Sequence, residues 1–453
     1  MTADSAPADG PHQGEEPARS GNPLGHGPVL LLTNARLTDG RLVDVRISGD
    51  RIQAVGTCGS LGPLPALPGA PTTTTGAKID LSGYLLLPAP AEPHAHYDVA
   101  FSAALQTPPP ETPAELVRRV TEAALTALGY GATAQRTHVR IGDVHGLRRL
   151  EAVLTARQAL RGLADLQAVA VPRLLTGRAG ADGRAQLREA LKLGATAAGG
   201  CPDLDPDPVG YVQVLLEAAR EADCPVDLHT AGADPAQLAR LVAALAPLRP
   251  RVTIGPLSAM AVGGGAGGAG GSGGSGGSGG PGSGGAGGSG GGAAAALAAA
   301  GLRVVCLPQN GHCVGLEGPA HALRASLVRE LSEAGVILAA GGGALRDTGN
   351  PVGRADPLEA AYLLAGGGGL SPEAAYEAVS NQARIALGLP PVRVDAGFPA
   401  ELLAVRGDSV AGVLAGGHSR LVIHSGRVVS RTSAVREFAD TVALALPRQN
   451  TPG

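Results

Sequence analysis

Short runs in which apolar residues alternate with polar ones occur near both ends of the 453-residue chain. Turn residues such as Asp39-Gly40 and Gly49-Asp50 bound them, which is typical of β-strands joined by tight turns. The predicted strands are Val29–Leu37, Asp44–Val55, Glu401–Val405 and Arg420–Val429. We predict that residues 28–84 and 391–435 pair into one small composite β-domain of the β-sandwich type.

Between these ends, apolar strands alternate with stretches of helical periodicity. In chain order the predicted elements are Pro113–Leu128, Ala134–Val139, Leu147–Arg161, Leu166–Val171, Ala185–Leu193, Ala195–Gly200, Tyr211–Ala222 and Val226–His229. Repeated strand–helix units imply parallel strands, and this many units predict an α/β fold with a (β/α)8 TIM-type barrel over residues 85–390. Catalytic residues of such barrels lie at the C-terminal ends of the strands.

Two segments lack the apolar residues that a packed element needs. Residues 1–27 are rich in Pro, Gly and charge, which predicts a disordered N-terminal tail. Residues 263–292 are almost entirely Gly, Ser and Ala, and they predict a flexible insertion within one strand–helix connection of the barrel. Residues 436–453 are interpreted as a C-terminal tail.

The composition mainly excludes classes of function and location. The formal net charge of −3 gives no electrostatic case for binding nucleic acid or a membrane surface. No apolar run reaches the length of a membrane span, and the N-terminus lacks the regions of a signal peptide, so we expect a cytoplasmic protein. The five cysteines are widely spaced and are expected to be reduced thiols. A homo-oligomer is left open.

The strongest candidate for chemistry is His94-Ala95-His96, which follows an apolar run. Side chains at positions i and i+2 of an extended segment point to the same face, so two imidazoles there can bind one divalent cation. Inert strand-end histidines are the alternative interpretation. His138 is interpreted as a structural residue that lines the barrel. Further histidines are interpreted as surface or packing residues: His145, His321, His418 and His424.

Several sequence blocks, in a fixed order, resemble the cytosine-deaminase-like branch of the amidohydrolase superfamily. They are Leu87–Asp98, Gly131–Val139, Leu191–Pro202, Val226–His229, Val304–Asn310 and Arg346–Glu359. The resemblance extends from about residue 30 to 430, apart from the glycine-rich insertion. It implies a barrel that binds a divalent metal ion, zinc or iron, and that hydrolyses a C–N bond of a small-molecule substrate.

The resemblance also assigns roles to individual positions. His94, His96 and His229 match the metal-binding histidines of the family. Arg173 falls at the position of a Gln that contacts the substrate in the family. Asp347 lies in the block Arg346–Glu359, for which the resemblance also implies substrate binding.

Glycines stand where the family has its other catalytic groups. Gly232 replaces the proton-shuttling Glu, Gly255 (before Pro256) replaces a second His, and Gly343 replaces the metal-ligating Asp. Positioned acid–base groups typically contribute about 10²–10⁴-fold to a catalytic rate. Because glycine supplies no such group, the catalytic residues of this chain are left unassigned. Other side chains could replace the missing acid–base groups, but none of them lies at the family's spacing. They are Asp98, Asp347, Glu317 and His312.

Two functions from different classes are consistent with this pattern. One is a metal-dependent hydrolase that acts on a C–N bond of a cyclic amide, amidine or nucleobase-like substrate with impaired or altered activity. The other is a catalytically inactive barrel that serves as a binding protein or partner subunit. Because fold does not imply function, the fold alone does not choose between them.

Overall fold

The computed structural model describes residues 29–62, 77–103, 110–142, 146–248, 251–262, 289–309 and 323–435. The first strands are β1 (Val29–Arg36), β2 (Leu42–Ser48), β3 (Arg51–Thr57), β4 (Ala77–Asp80) and β5 (Tyr84–Pro88). β1 to β3 form an antiparallel meander, whereas β4 and β5 pair parallel to β1. The alternating residues at the N-terminal end of the chain therefore form strands, as their pattern predicts.

The middle of the chain forms the predicted parallel barrel. Its strands are β6 (Ala91–Ala95), β7 (Ala134–Ile141), β8 (Asp165–Pro172), β9 (Ala197–Gly200), β10 (Val226–Thr230), β11 (Val252–Pro256), β12 (Arg303–Cys306) and β13 (Ile337–Ala340). Each strand pairs with the next in sequence, and an isolated bridge joins Ala95 at the end of the first strand to Gly343 just after the last. The nearly closed sheet, with helices between its strands, confirms the (β/α)8 fold class.

Helices follow the barrel strands: α1 (Pro113–Gly129), α2 (Arg148–Ala159), α3 (Ala181–Leu193), α4 (Pro208–Glu221), α5 (Pro235–Leu245), α6 (Ser289–Ala299), α7 (Ala325–Glu333), α8 (Pro357–Gly366), α9 (Pro372–Val379) and α10 (Asn381–Ala386). Five of them begin with proline after a Thr, Asp or Ser whose side chain accepts a backbone N–H of the first turn. Such a cap satisfies a free N–H group, and proline at the first helical position needs no hydrogen bond.

The glycine-rich segment differs from its prediction at one end. Residues 263–288 lie outside the described residues, as do residues 1–28 and 436–453, but α6 already begins at Ser289. The last four residues of the predicted insertion therefore belong to a helix. The alanine run from Ala293 continues this helix, since alanine has the best helix propensity.

The C-terminal strands return to the first sheet. β14 (Leu402–Arg406), helix α11 (Val410–Gly416), β15 (Arg420–His424) and β16 (Arg427–Thr432) follow the barrel. β14 lies antiparallel to β5, so one mixed sheet has the order β16-β15-β14-β5-β1-β2-β3. Both ends of the chain thus contribute to one sheet. Apolar side chains such as Leu86 and Leu402 form a core of its own, whereas others such as Leu87 and Leu403 pack into the core of the barrel.

None of the helices within the described part of the chain is both long enough and apolar enough to cross a bilayer.

A buried ion pair lies where the mixed sheet meets the barrel. His424 Nδ1 is 2.9 Å from Glu401 Oε2, and both residues are buried. Burial would lower the pKa of His424, but the Glu401 carboxylate outweighs it and raises that pKa above its ordinary value of 6.5. Burial would likewise raise the pKa of Glu401, yet its contacts with His424 hold it below 4.5.

We expect the free energy of unfolding to depend on pH through this pair. A raised histidine pKa gives stability that is complete below pH 6.5 and is lost as pH rises through the folded-state pKa. A lowered glutamate pKa gives stability that is present above pH 4.5 and is lost as pH falls. Urea titrations should therefore show the largest contribution between pH 4.5 and 6.5. His424→Gln should remove the decline at higher pH, and an unaltered pH profile in this variant would contradict the assignment.

Candidate metal centre

Three imidazoles meet at the C-terminal ends of two barrel strands. His94 lies in β6, His96 follows that strand, and His229 lies in β10. The Nε2 atoms of His94 and His229 are 2.7 Å apart. One ring nitrogen of each of the three residues lies within 4.8 Å of the others, and each residue is at most 7% exposed. The structure therefore brings together the three histidines that the resemblance selected.

Burial keeps these imidazoles neutral. Desolvation is the largest cause that lowers the pKa of His94 and of His229 well below 6.5, and the neighbouring histidines lower it further. Desolvation and His138 lower the pKa of His96 to about 3. Neutral imidazoles keep a lone pair at neutral pH, which a metal ligand requires.

A fourth imidazole, His138 from β7, lies against these three. Its ring stacks on His94 with centroids 4.2 Å apart, and its centroid is 4.4 Å from that of His229. Behind it, Asp227 Oδ1 lies 3.2 Å from His138 Nε2, a contact too poorly aligned to count as a full hydrogen bond. His94, His138 and Asp227 form a second group whose ligand atoms lie within 4.8 Å of one another.

Sequence reasoning did not select Asp227. It precedes His229 by two residues in β10, so strand alternation places both side chains on the same face. In the same way Arg136 precedes His138 in β7, and its Nη1 donates to Asp227 Oδ2 at 2.8 Å across the barrel interior. Both spacings are visible in the sequence.

Arg136 and Gln167 also contact the end of α10. Arg136 donates to the carbonyl oxygen of Ala386, and Gln167 donates to that of Leu387.

Asp227 is an ionised carboxylate in this setting. Burial alone would raise its pKa, but contacts with His138 and Arg136 outweigh burial and hold that pKa well below 3.8. The buried side chain is therefore negatively charged at neutral pH, and Arg136 supplies the opposite charge.

Glu92 is a second buried carboxyl that sequence reasoning missed. It precedes His94 by two residues in β6, and its oxygens accept the backbone N–H groups of His94, at 3.1 Å, and of Gly342, at 2.7 Å. A Cβ on Gly341 would lie 2.2 Å from Glu92 Oε1, so this approach requires glycine. Desolvation raises the pKa of Glu92 to about 7 against the opposing backbone donors. Through these hydrogen bonds Glu92 links β6 to the segment after β13, where the barrel closes.

The three glycines at positions where the resemblance implies catalytic side chains are closely surrounded. Gly232 has φ +67°, and a Cβ there would lie 3.1 Å from Leu257 Cδ2. A Cβ on Gly255 would lie 2.2 Å from the carbonyl oxygen of Val305. Gly343 has φ +71°, and its Cβ would lie 3.2 Å from two methyl carbons of Leu307. A side chain at any of these three positions would therefore press against its neighbours.

The remaining predicted residues lie in other settings. Arg173 follows β8 and is exposed. Asp347 is buried, and its Oδ1 accepts the N–H groups of Gly349 and Asn350 in a turn. Among the described residues, Asp347 is not part of either group of converging ligand atoms.

Of the groups that could replace the missing acids and bases, Asp98 accepts from Arg149 Nη1 at 3.2 Å. Burial raises the pKa of Asp98 despite this arginine. Glu317 and His312 lie outside the described residues, as do His145 and His321.

The donor set beside His94 fits a divalent ion. His96 Nε2 is buried and finds no hydrogen-bond partner among the described residues, which is costly unless a ligand occupies it. Tetrahedral Zn²⁺ with bonds of about 2.0–2.1 Å separates its ligand atoms by about 3.3 Å, so the 2.7 Å between His94 and His229 must lengthen by about 0.6 Å. That movement is within the range of a small side-chain adjustment.

Comparisons with known proteins agree with this fold. No family model matches the chain. N-isopropylammelide isopropyl amidohydrolase from Pseudomonas sp. (strain ADP) is 26% identical over 231 residues, or 44% of this chain and 52% of that protein. The chain thus matches about half the length of this curated relative. A crystal structure of N-isopropylammelide isopropylaminohydrolase from Burkholderia multivorans ATCC 17616 is 25% identical with a TM-score of 0.69, covering 90% of this chain and 99% of that one.

Two further structures share the fold. 5-Methylcytosine deaminase from Klebsiella pneumoniae, liganded with phosphonocytosine, has a TM-score of 0.69 at 20% identity and covers 90% of this chain and 100% of its own. A variant of atrazine chlorohydrolase from Arthrobacter aurescens TC1, complexed with zinc and atraton, has a TM-score of 0.61 at 16% identity, over 89% of this chain and 95% of its own.

The fold and its histidine cluster define a (β/α)8 barrel with converging imidazoles at the C-terminal ends of its strands. The resemblance is confirmed in that the solved structures of similar fold are amidohydrolase-superfamily members, and the curated sequence relative agrees.

Proposed function

We propose that the chain binds one divalent metal ion, zinc or iron, through His94, His96 and His229. The ion would serve hydrolysis of a C–N bond in a cyclic amide, amidine or nucleobase-like small molecule, with activity altered from that of the family. The observation that carries this proposal is the convergence of three buried, neutral ring nitrogens at the catalytic end of the barrel. The names of the two isopropylammelide enzymes support the reaction class, because amidohydrolase and aminohydrolase both denote hydrolysis of a C–N bond.

A bound divalent ion in such a site lowers the pKa of a water molecule and polarises the substrate. The residues of this chain supply the surroundings. His94 and His229 face each other, His138 packs against both, and the buried cluster excludes bulk water. Exclusion of water strengthens every charge interaction within the site. Arg173 and Asp347 are proposed to contact the substrate at the ends of β8 and β13.

The altered activity follows from the glycine positions. Hydrolysis of a C–N bond requires a proton to leave the attacking water and another to reach the departing nitrogen, and side chains placed for this contribute about 10²–10⁴-fold. Gly232 and Gly255 offer no side-chain donor or acceptor at the family's positions. We therefore expect no cytosine deamination at a rate typical of the family.

A second function is favoured by the packing around these glycines. Leu257, Met260 and Leu238 lie within 3.6 Å of a Cβ position on Gly232, so a side chain added there would have to displace Leu257. A barrel that has closed over its catalytic positions would serve as a binding protein or partner subunit. This alternative retains the metal-binding histidines but predicts no turnover.

One experiment distinguishes the two functions. Purified protein is assayed by elemental analysis, and ammonia release is then screened over pyrimidines, triazines and cyclic ureides. Bound metal with turnover that His94→Ala abolishes would support the hydrolase. Bound metal without turnover would support the binding protein, and protein that never binds zinc or iron would contradict the proposed site.

Back-substitution of the glycines is expected to fail. Gly232→Glu forces a left-handed backbone that costs about 1–2 kcal/mol for most residues, and the new Cβ contacts Leu257. Gly255→His should destabilise most, because its Cβ would meet the Val305 carbonyl oxygen, which belongs to the backbone. Neither variant should gain cytosine deamination, since catalytic groups that act as a unit contribute non-additively.

The measurements are urea unfolding and ammonia release from cytosine. Gly335→Glu is the matched control, because Gly335 has φ +77° and open space around its Cβ position. This control reports the cost of the left-handed backbone without crowding. Robust deamination by Gly232→Glu alone would show that the surrounding packing does not prevent a working site.

A further inference from the structure

We infer that Asp227 is the positioning residue of the histidine cluster: its carboxylate, fixed by Arg136, holds the His138 ring against His94 and His229. The inference rests on the proposed metal site and deepens it. It assigns a task to a residue that contacts no proposed ligand ring directly and acts through His138.

Asp227 is held from the side away from the histidines. Arg136 Nη1 donates to its Oδ2 at 2.8 Å, and the same guanidinium donates to Gln167 Oε1 through Nε at 3.0 Å and through Nη2 at 2.8 Å. Gln167 in turn donates to the carbonyl oxygen of Leu387 at 3.1 Å. A planar guanidinium with this many partners has one orientation, and so does the carboxylate it binds.

The other oxygen of Asp227 faces His138. Oδ1 lies 3.2 Å from His138 Nε2, both residues are at most 2% exposed, and within the described part of the chain neither ring nitrogen of His138 makes a well-aligned hydrogen bond. The carboxylate is therefore the charged group beside Nε2, and its proximity restricts the orientations of this ring. Because the ring stacks on His94 at 4.2 Å and lies 4.4 Å from His229, its orientation sets the space in which these two rings can turn.

The cost of losing such a contact is known in general terms. Residues that orient metal-binding histidines typically change metal affinity by about 10–100-fold when they are replaced. Here the effect should be large, because Gly343 offers no carboxylate to the site and, within the described ranges, Asp227 is the carboxylate among the groups of converging ligand atoms. A second ion bound directly by Asp227 is disfavoured, since Arg136 already occupies its Oδ2.

The test uses Co²⁺ added to the metal-free full-length protein, with affinity from titration and ligand geometry from the visible absorption spectrum. Wild type should bind one Co²⁺ per chain. Asp227→Asn should bind about 10–100-fold more weakly and with an altered spectrum. Asp44→Asn is the matched control, because Asp44 is an equally buried carboxylate that accepts two backbone N–H groups in the first sheet. Its affinity and spectrum should equal those of wild type.

His138→Phe provides a second route, because it keeps a stacked ring and the Arg136–Asp227 pair but removes the contact with Asp227. It should show the same loss, even if Asp227→Asn fails to fold. Wild-type affinity and spectrum in either folded variant would overturn the positioning role. Two Co²⁺ ions per chain, one of them lost in Asp227→Asn, would also overturn it by making Asp227 a ligand. Wild type without Co²⁺ binding would instead overturn the proposed metal site itself.

Discussion

Replacing His94 or His229 by alanine is expected to reduce the metal content from about one ion per chain to none. A catalytic zinc site typically uses three protein ligands, and removal of one leaves two. The remaining imidazoles are neutral, so they supply no charge that would retain the ion by attraction alone. Elemental analysis after gel filtration in metal-free buffer measures the outcome.

His418→Ala is the control for this loss. His418 lies between α11 and β15, and it is exposed. Its removal should leave the metal content at the wild-type value. A His94→Ala protein that retains a full equivalent of metal would show that the ion lies elsewhere, whereas a parallel loss in His418→Ala would indicate adventitious surface binding.

Replacing Asp356 by alanine should lower the free energy of unfolding by about 3–5 kcal/mol, because it leaves Arg420 as an uncompensated buried charge. The two side chains form a bidentate ion pair with both N–O distances at 2.8 Å, and both are at most 7% exposed. Asp356 also accepts the N–H group of Leu358 and so caps α8. The pair joins β15 of the mixed sheet to a helix of the barrel. Urea unfolding measures the loss.

Two comparisons sharpen this prediction. The double variant Asp356→Leu/Arg420→Met removes both charges and should recover most of the stability, since apolar replacement of a buried ion pair is often neutral. Glu221→Ala breaks the exposed pair with Arg188 and should cost less than about 1 kcal/mol. A loss in Asp356→Ala as small as that in Glu221→Ala would show that solvent reaches Arg420.

The fold was predictable because its signal repeats. Every strand–helix unit of the barrel carries the same change of period, so a single uncertain segment does not alter the architecture. A shared sheet from the two ends of the chain was predicted from their matching strand patterns, but the pairing of β5 with β14 was not, because the predicted barrel already began at residue 85. The start of α6 was not predicted either, because glycine at 290–292 opposes a helix that the following alanines continue.

The candidate site was predictable only in part. The His94-Ala95-His96 spacing indicates a shared face without any further knowledge, whereas the contact between Arg136 and Asp227 crosses the barrel and joins residues 91 positions apart. Alternation predicts that each points inward, but not that they meet. The crowding at Gly255 likewise depends on how close β12 approaches, which no local pattern records.

The pairing of β5 with β14 also has a consequence during translation. The strand Leu85-Leu86-Leu87 leaves the ribosome long before its antiparallel partner Leu402–Val405. At about 5–20 residues per second, the roughly 310 residues between them take about 15–60 s to synthesise. Throughout that interval the nascent chain presents an apolar strand edge without its final neighbour, the kind of surface on which chaperones act.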